Sequence, residues 1–275
     1  MPRFPRNERG EMPFLDHLEE MRWRIIWSLL ALAIGFVIGF VLVDQLNILG
    51  LLMRPIAPEL AGKKLFFTSP IEPFMITLKL GFFVGAVLAS PVIIWQLWKF
   101  LAPALYVRER KVVLPLSIAA VLLFLAGVCM AYFAILPAAI KVLFGFQSAS
   151  LEPIVTAKEY FAFAGQVVIA FGAIFEIPLV LLILVYLRVI SAAFLARNRR
   201  FAIAGNAFLS MILAPPDLIS MTLMMVPVQF LYEVTVVIAR VMERRRARGG
   251  AGEGDAVTAP AGSGAGEKAT AAGEA

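Results

Sequence analysis

The sequence is poor in the residues that build most enzyme centres. Its 275 residues include one cysteine, Cys129, and one histidine, His17. A single thiol excludes an internal disulfide and a metal site built from several cysteines. His17 precedes the first long apolar run, so a histidine triad or zinc site within those runs is excluded. HExxH, GxSxG and P-loop patterns are also missing, and we therefore expect neither an enzyme nor a bound cofactor or metal.

Charge is scarce as well. Only 16% of the residues are charged, and 61% are hydrophobic. Soluble domains are nearer half apolar, so this composition predicts a polytopic membrane protein. The net charge of +6 does not indicate nucleic-acid binding. The bases gather at the ends of apolar runs, where they set topology and meet anionic lipid headgroups.

Six apolar runs are interpreted as membrane helices, over residues 25–43, 74–98, 112–136, 160–186, 201–213 and 218–237. The fifth would be only about 20 Å long, against about 30 Å of hydrocarbon. We therefore expect one all-α membrane domain over residues 14–240, with helices five and six short. Residues 1–13 form a basic tail. Residues 241–275 are basic and then low in complexity, which predicts a disordered cytoplasmic tail.

The basic clusters all fall on one side of this arrangement. They are Arg22 and Arg24; Arg108, Arg110 and Lys111; Arg197, Arg199 and Arg200; and Arg244, Arg245 and Arg246. Short segments rich in Lys and Arg remain in the cytoplasm. The clusters therefore predict that both termini are cytoplasmic.

Three acids stand out against this background. Glu20 and Glu109 lie among bases on the cytoplasmic side, and Glu176 lies midway along the fourth run. Exposed acids among bases usually form ion pairs of little energetic value, and a buried one can be a hydrogen bond between helices. Intramembrane acids are, however, usually functional. These residues alone leave open a proton-coupled small-molecule transporter that uses Glu176, and a purely structural scaffold.

Two local patterns predict how the helices pack. GxxxG patterns occur at Gly35 and Gly39 and at Gly81 and Gly85, and this spacing is typical of closely packed membrane helices. Chance also produces it in apolar sequence.

The surroundings of Glu176 predict a break in the fourth helix. Pro178 removes a backbone N–H and can kink the helix. Gln166, ten residues before Glu176, extends a polar stripe that should face protein and not lipid. We expect Glu176 to be neutral at rest, because burial disfavours the charged form.

Four segments resemble the TatC family, the polytopic subunit of the twin-arginine protein translocase. They are HLEEMRWR at residues 17–24, SPVIIWQLWKFLAPALYVRERK at 90–111, FGAIFEIP at 171–178 and LAPPD at 213–217. Their order and spacing match from residue 14 to about residue 240.

The resemblance implies a fold and a function. The fold is six helices in a concave, cup-like arrangement in the bacterial cytoplasmic (inner) membrane. The function is that of a receptor subunit, which binds twin-arginine signal peptides of folded proteins and nucleates a translocation complex driven by the protonmotive force. The implied partners are single-span subunits of the TatA/TatB type, with several copies in the receptor complex.

The resemblance also assigns site residues. The residues expected to bind the signal peptide are Glu20, Glu109, Arg22, Phe100, Pro103, Leu105, Tyr106 and Arg110. Glu176 and Gln166 are expected to contact the partner subunits. An external cap and turn are expected at Pro55, Pro215, Pro216 and Asp217. Two carboxylates suit two adjacent arginines, since guanidinium pairs bidentately with carboxylate. Some members have Thr and Gln where this chain has Ala214 and Met221, so it lacks that polar patch for single-span partners.

Overall fold

The computed structural model describes residues 14–60, 62, 64–101, 113–145, 154–213 and 218–257. These residues form eleven α-helices and one π-helical turn. The α-helices are α1 (Phe14–Gln45), α2 (Ile48–Met53), α3 (Ala57–Leu60), α4 (Glu72–Leu101), α5 (Val113–Met130), α6 (Leu136–Gly145), α7 (Ala157–Ile174), α8 (Ile177–Tyr186), α9 (Ala192–Arg197), α10 (Arg199–Leu213) and α11 (Leu218–Val257), and the π-helical turn, Ala131–Ile135, joins α5 to α6.

Five stretches of the described chain are long and apolar enough to cross a membrane. They are Leu18–Gln45, Glu72–Phe100, Leu114–Gly145, Ala157–Tyr186 and Leu218–Arg246, and they make the chain a multi-pass membrane protein. The helix at the predicted fifth run, α10, has 15 residues, which is about 22 Å at 1.5 Å per residue and less than the hydrocarbon thickness. Six spans, the cup-like shape and the orientation of the termini stay predictions.

Two predicted helix ends are wrong. The third span continues through the π-helical turn and α6 to Gly145, beyond the predicted end at residue 136. The sixth helix is not short, because α11 has 40 residues and reaches Val257, past the predicted end at residue 237. For α11, hydropathy locates where apolar sequence stops, whereas the Arg, Ala, Glu and Met of residues 239–248 continue a helix well in polar surroundings. The part of the predicted disordered tail up to Val257 is therefore helical, and residues 258–275 lie outside the described chain.

Direct backbone contact joins α1 to α4 at their GxxxG patterns, which predicted close packing but not which helices would pair. A Cβ added at Gly35 would lie 2.5 Å from the carbonyl oxygen of Gly85, and one added at Gly85 would lie 2.6 Å from the Cα of Phe36. Gly39 approaches Gly81 in the same way. Other large apolar side chains of α1, including Leu29, are exposed, so these glycines carry much of the attachment of α1.

The glycine contact also sets the register of α1 and α4, which run antiparallel. Arg24 is eleven residues before Gly35, and Gln96 is eleven residues after Gly85. Eleven residues are close to three helical turns, so both side chains return to the shared face. Arg24 and Gln96 are indeed in hydrogen-bond contact. We call the end of the molecule where α1 begins and α4 and α8 end the basic end.

The central helix of the described core is α7, which has small residues facing aromatic rings. The ring of Phe83 on α4 packs directly over Gly165, and the ring of Phe124 on α5 lies over Gly172. Phe171, 1% exposed, lies in the largest buried apolar cluster. This packing fixes the depth of the following residues, which include Glu176.

Helices α2 and α3 pack against the core at the end of the molecule opposite the basic end, and the external position predicted for this segment, which contains Pro55, stays a prediction. Ile56, 1% exposed, inserts into the main core, and Pro55 lies half-buried in the turn before it. The hydroxyl of Tyr132 donates to the carbonyl of Leu51 at 2.7 Å, and that of Tyr160 donates to the carbonyl of Leu52. The last carbonyls of a helix have no partner within it, so the two tyrosines anchor the end of α2.

We expect Gly85→Ala to destabilise the protein and Gly205→Ala not to. At Gly85 the new methyl group meets the backbone of α1, and forced separation of packed helices costs about 1–3 kcal/mol. At Gly205, in α10, no heavy atom lies within 4 Å of the added Cβ, and alanine favours helix by up to about 1 kcal/mol. Unfolding midpoints in mixed detergent–SDS micelles measure both. Equal changes in the unfolding midpoint for Gly85→Ala and Gly205→Ala would contradict close contact of Gly85 with the backbone of α1.

Candidate functional site

Glu20 forms a buried ion pair with the arginine one turn further along α1. It is 8% exposed. The Nε of Arg24 donates to its Oε1 at 3.1 Å, and Nη2 of the same guanidinium donates to that oxygen as well. Side chains four apart face each other on a helix, so the pair follows from the sequence spacing. The carboxylate is thus held where guanidinium already binds it.

A glutamine of α4 completes this group. Nη1 of Arg24 donates to Oε1 of Gln96 at 3.4 Å, and Gln96 is 8% exposed. Trp98 lies two residues further on α4 and is 1% exposed. Sequence reasoning missed Gln96 and the pairing role of Arg24. The sequence could have indicated Gln96, because its amide is the only amide or charged side chain in IIWQLW at residues 93–98.

The structure places three of the eight residues expected to bind the signal peptide, and all three lie at the basic end. Glu20 is buried, Arg22 is exposed on α1, and Phe100 is half-buried in the last turn of α4. The other five, Glu109, Pro103, Leu105, Tyr106 and Arg110, lie outside the described residues, as do Pro215, Pro216 and Asp217 of the predicted turn.

Glu176 lies where the fourth span breaks. The break between α7 and α8 falls at Phe175 and Glu176, and Pro178 is the second residue of α8. Proline is tolerated in the first turn of a helix, so the break agrees with the kink predicted from Pro178. One oxygen of Glu176, Oε1, is fully buried without a hydrogen bond from any described residue. A buried acceptor of this kind is costly unless it binds a donor.

Gln166 lies on α7 and is exposed. Its Nε2 donates to the carbonyl of Ile212 at 3.5 Å, near the end of α10. Ten residues of helix, about 15 Å, separate Gln166 from Glu176. The two side chains therefore do not form one local site, although both are polar groups of the same span.

A polar chain, not predicted from the sequence, joins the short helix α10 to α11. Nδ2 of Asn206 donates to Oε1 of Gln229 at 2.8 Å, and Nε2 of Gln229 donates to Oε1 of Glu233 at 3.5 Å. Arg199 ends the chain with an ion pair to Glu233 at 2.8 Å. Helix spacing could have placed Gln229 and Glu233 on one face, but only the tertiary structure brings Asn206 and Arg199 to them.

Comparisons with family models, with single sequences and with solved structures all match this chain to one protein family. The family model described as Sec-independent protein translocase protein (TatC) matches residues 16–227. The protein named Sec-independent protein translocase protein TatC from Carboxydothermus hydrogenoformans is 38% identical over 243 residues, 88% of this chain and 98% of the relative. The protein of the same name from Desulforapulum autotrophicum is 33% identical over 240 residues, which are 87% of this chain and 88% of the relative.

The fold is similar to that of a solved structure. A crystal structure of the twin arginine translocase receptor TatC in DDM superimposes with a TM-score of 0.75 at 37% identity. The match covers 81% of this chain and 99% of that one.

The polar chain between α10 and α11 predicts measurable coupling between Asn206 and Gln229. Asn206→Ala and Gln229→Ala should each lower stability, and the double variant should lose less than the sum of the two. Interhelical hydrogen bonds in membranes couple by about 0.6 kcal/mol on average, up to about 1.7. A double-mutant cycle on SDS unfolding measures this term. Asn206→Ala with Thr222→Ala is the control pair, since Thr222 donates only to Leu218 of its own helix. If the stability losses of Asn206→Ala and Gln229→Ala were additive, the two side chains would not be coupled.

Proposed function

Because the chain belongs to the TatC family of Sec-independent protein translocase proteins, we propose that it is the receptor subunit that binds twin-arginine signal peptides of folded proteins. The observation that carries the proposal is the buried carboxylate of Glu20 at the basic end, paired with the guanidinium of Arg24. A site that holds one guanidinium in a charge-assisted contact has the chemistry to hold another.

The site favours arginine over lysine in the signal. Guanidinium is planar and presents paired N–H donors to a carboxylate, whereas ammonium is a compact and strongly hydrated point charge. Removal from water strengthens the contact because the local dielectric is low. The buried position of Glu20 therefore supports selection for arginine more strongly than an exposed acid would.

Glu109 is proposed as the second acid for the arginine pair. It follows the last residue of α4, Leu101, by eight positions. α4 ends at the end of the molecule where α1 begins, the end at which Glu20 lies. Phe100 on α4 and the apolar residues Pro103, Leu105 and Tyr106 would contact the rest of the signal, with Arg22 and Arg110 beside the acids.

Assembly with other subunits is proposed to use the interior polar groups. Single-span partners of the TatA/TatB type would bind the carboxyl group of Glu176, a partly exposed residue, and Gln166 would add a second contact. Several copies of the complex in the bacterial inner membrane, driven by the protonmotive force, would then move the cargo. Both termini are proposed to be cytoplasmic, since the basic clusters of the described residues lie at one end.

We expect an exchange of charges within the α1 ion pair to abolish signal binding while the protein stays folded. Glu20→Arg combined with Arg24→Glu keeps the pair on one helix face, and Gln96 can donate as well as accept. The carboxylate moves by one turn, about 5 Å. The loss of a charge-assisted contact should weaken crosslinking of a twin-arginine signal peptide in membranes about ten- to hundredfold.

The control for this exchange is Glu19→Lys, at the neighbouring exposed acid, which should bind the signal normally. Glu109→Lys should behave like the exchange, and a Lys-Lys signal should bind the unaltered protein less well than an Arg-Arg signal. Normal signal binding by the exchanged protein would show that Glu20 serves only the internal pair.

At Glu176, a neutral hydrogen-bonding side chain is expected to suffice for assembly. Glu176→Gln should retain most co-purification of single-span partners, whereas Glu176→Ala should reduce it, because an interhelical hydrogen bond in membranes contributes about 1 kcal/mol. Signal crosslinking should be unchanged in both variants. A proton-coupled transporter, the alternative, requires a titratable group, so loss of function with Gln equal to that with Ala would support an ionising role for Glu176.

A further inference from the structure

A cavity of about 750 Å³ lies at the basic end, where α8 turns into α9 and α11 passes beside them. Arg188 and Arg246 line it with the carboxylate of Glu243, and apolar residues that include Val189 and Phe194 form the rest of its wall. Two positive charges against one negative charge leave the cavity with a net charge of +1. It is separate from the Glu20 group, which lies between α1 and α4.

Arg188 occupies a backbone position that favours glycine. The N–H of Val189 donates to the carbonyl of Leu184 at 2.9 Å, and the N–H of Arg188 donates to that of Val185 at 3.1 Å. This pair of bonds is the Schellman arrangement at a helix end, in which the residue at the position of Arg188 is left-handed and usually glycine. Arg188 has φ 60°, a conformation that costs free energy for residues with a Cβ. Strain of this kind is often found at functional sites.

The guanidinium of Arg188 has neither a hydrogen bond nor an ion pair with the described residues, and its side chain is exposed. Arg246 is held in place instead. Its Nη1 donates to the carbonyl of Tyr186 at 2.8 Å, and its guanidinium lies 4.2 Å from the centre of the Tyr186 ring. One of its five N–H donors is thereby used, and the side chain is fixed at the cavity.

Glu243 has a structural partner of its own. Its Oε1 accepts the backbone N–H of Ala192 at 2.8 Å, which attaches the start of α9 to α11. The acid is thus bound to the protein backbone, and the surplus positive charge of the cavity belongs to the arginines. A ligand with net negative charge fits this distribution better than a neutral or zwitterionic one.

The depth of the cavity points to the source of the anion. The candidate membrane spans Ala157–Tyr186 and Leu218–Arg246 both end at it, so it lies at the level of lipid headgroups. Val189 and Phe194 beside it are 66% and 55% exposed, which suits contact with acyl chains. Basic pockets between membrane helices bind anionic lipid headgroups, and the arginine fork matches phosphate oxygens. We propose that this cavity is a specific site for the phosphate of an anionic phospholipid.

Lipid titrations of the purified full-length protein, followed by native mass spectrometry, test the proposal. Phosphatidylglycerol should bind at least about fivefold more tightly than phosphatidylethanolamine or phosphatidylcholine. Arg188→Gln should lower its affinity about tenfold, and Arg245→Gln, the matched control at an exposed arginine outside the cavity, should leave it unchanged. Glu243→Gln keeps an acceptor for Ala192 but removes the opposing charge, so it should raise the affinity.

Arg188→Gly separates binding from folding. Glycine suits the left-handed backbone, so this variant should unfold at the same temperature as the unaltered protein or higher, while it loses phosphatidylglycerol affinity as Arg188→Gln does. Equal losses with Arg188→Gln and Arg245→Gln would reduce the site to a diffuse basic surface. Equal binding of phosphatidylglycerol and phosphatidylethanolamine would contradict selection for net charge. Displacement of phosphatidylglycerol by millimolar inorganic phosphate would assign the site to a free anion and overturn the lipid proposal.

Discussion

Backbone contact between α1 and α4 at their paired glycines fixes how the two helices align, and the Glu20 group depends on this alignment. Membrane helices gain little from the burial of apolar side chains against each other, because lipid is equally apolar. Close approach of backbones therefore decides which residues of α1 face α4. The register that joins Gly35 to Gly85 also brings Arg24 to Gln96, about three turns away. A shift along the interface by one residue would turn Arg24 away from Gln96.

A second constraint is that backbone groups in hydrocarbon need partners inside the protein. At three places in the described chain, a side chain from another helix supplies a partner for a carbonyl in the last turns of a helix. Tyr132 donates to the carbonyl of Leu51 in α2, Tyr232 on α11 donates to the carbonyl of Leu195 in α9 at 2.8 Å, and Arg246 donates to that of Tyr186. The short elements α2 and α9 are thus held by long helices, which can place irregular backbone beside the membrane.

Sequence periodicity predicted the local features and missed the tertiary ones. The GxxxG patterns marked faces for close helix packing, without their pairing, and Pro178 marked the break at Glu176, because both act through backbone geometry within a few residues. The length of α11 was missed because hydropathy marks the end of apolar sequence and not of helix. Gln96 and Asn206 were missed because their partners lie 72 and 23 residues away along the chain, a separation that no local pattern encodes. Glu109 lies outside the described residues, so its role still rests on the family resemblance.

The ion pair at Glu20 bears on how the proposed receptor would be both stable and selective. A buried carboxylate without a partner costs several kcal/mol, so an empty site needs an internal cation, and Arg24 provides it. In the proposed receptor, an arriving signal arginine would share the carboxylate of Glu20 with Arg24 or replace Arg24 there. Only the difference in free energy between the contact of Glu20 with the signal arginine and its contact with Arg24 would add to affinity. One signal arginine alone would therefore bind weakly. A second arginine at a second acid would contribute without such competition. The proposed receptor would therefore require two adjacent arginines in the signal, and Arg24 would be a determinant of signal affinity although it is not an acid.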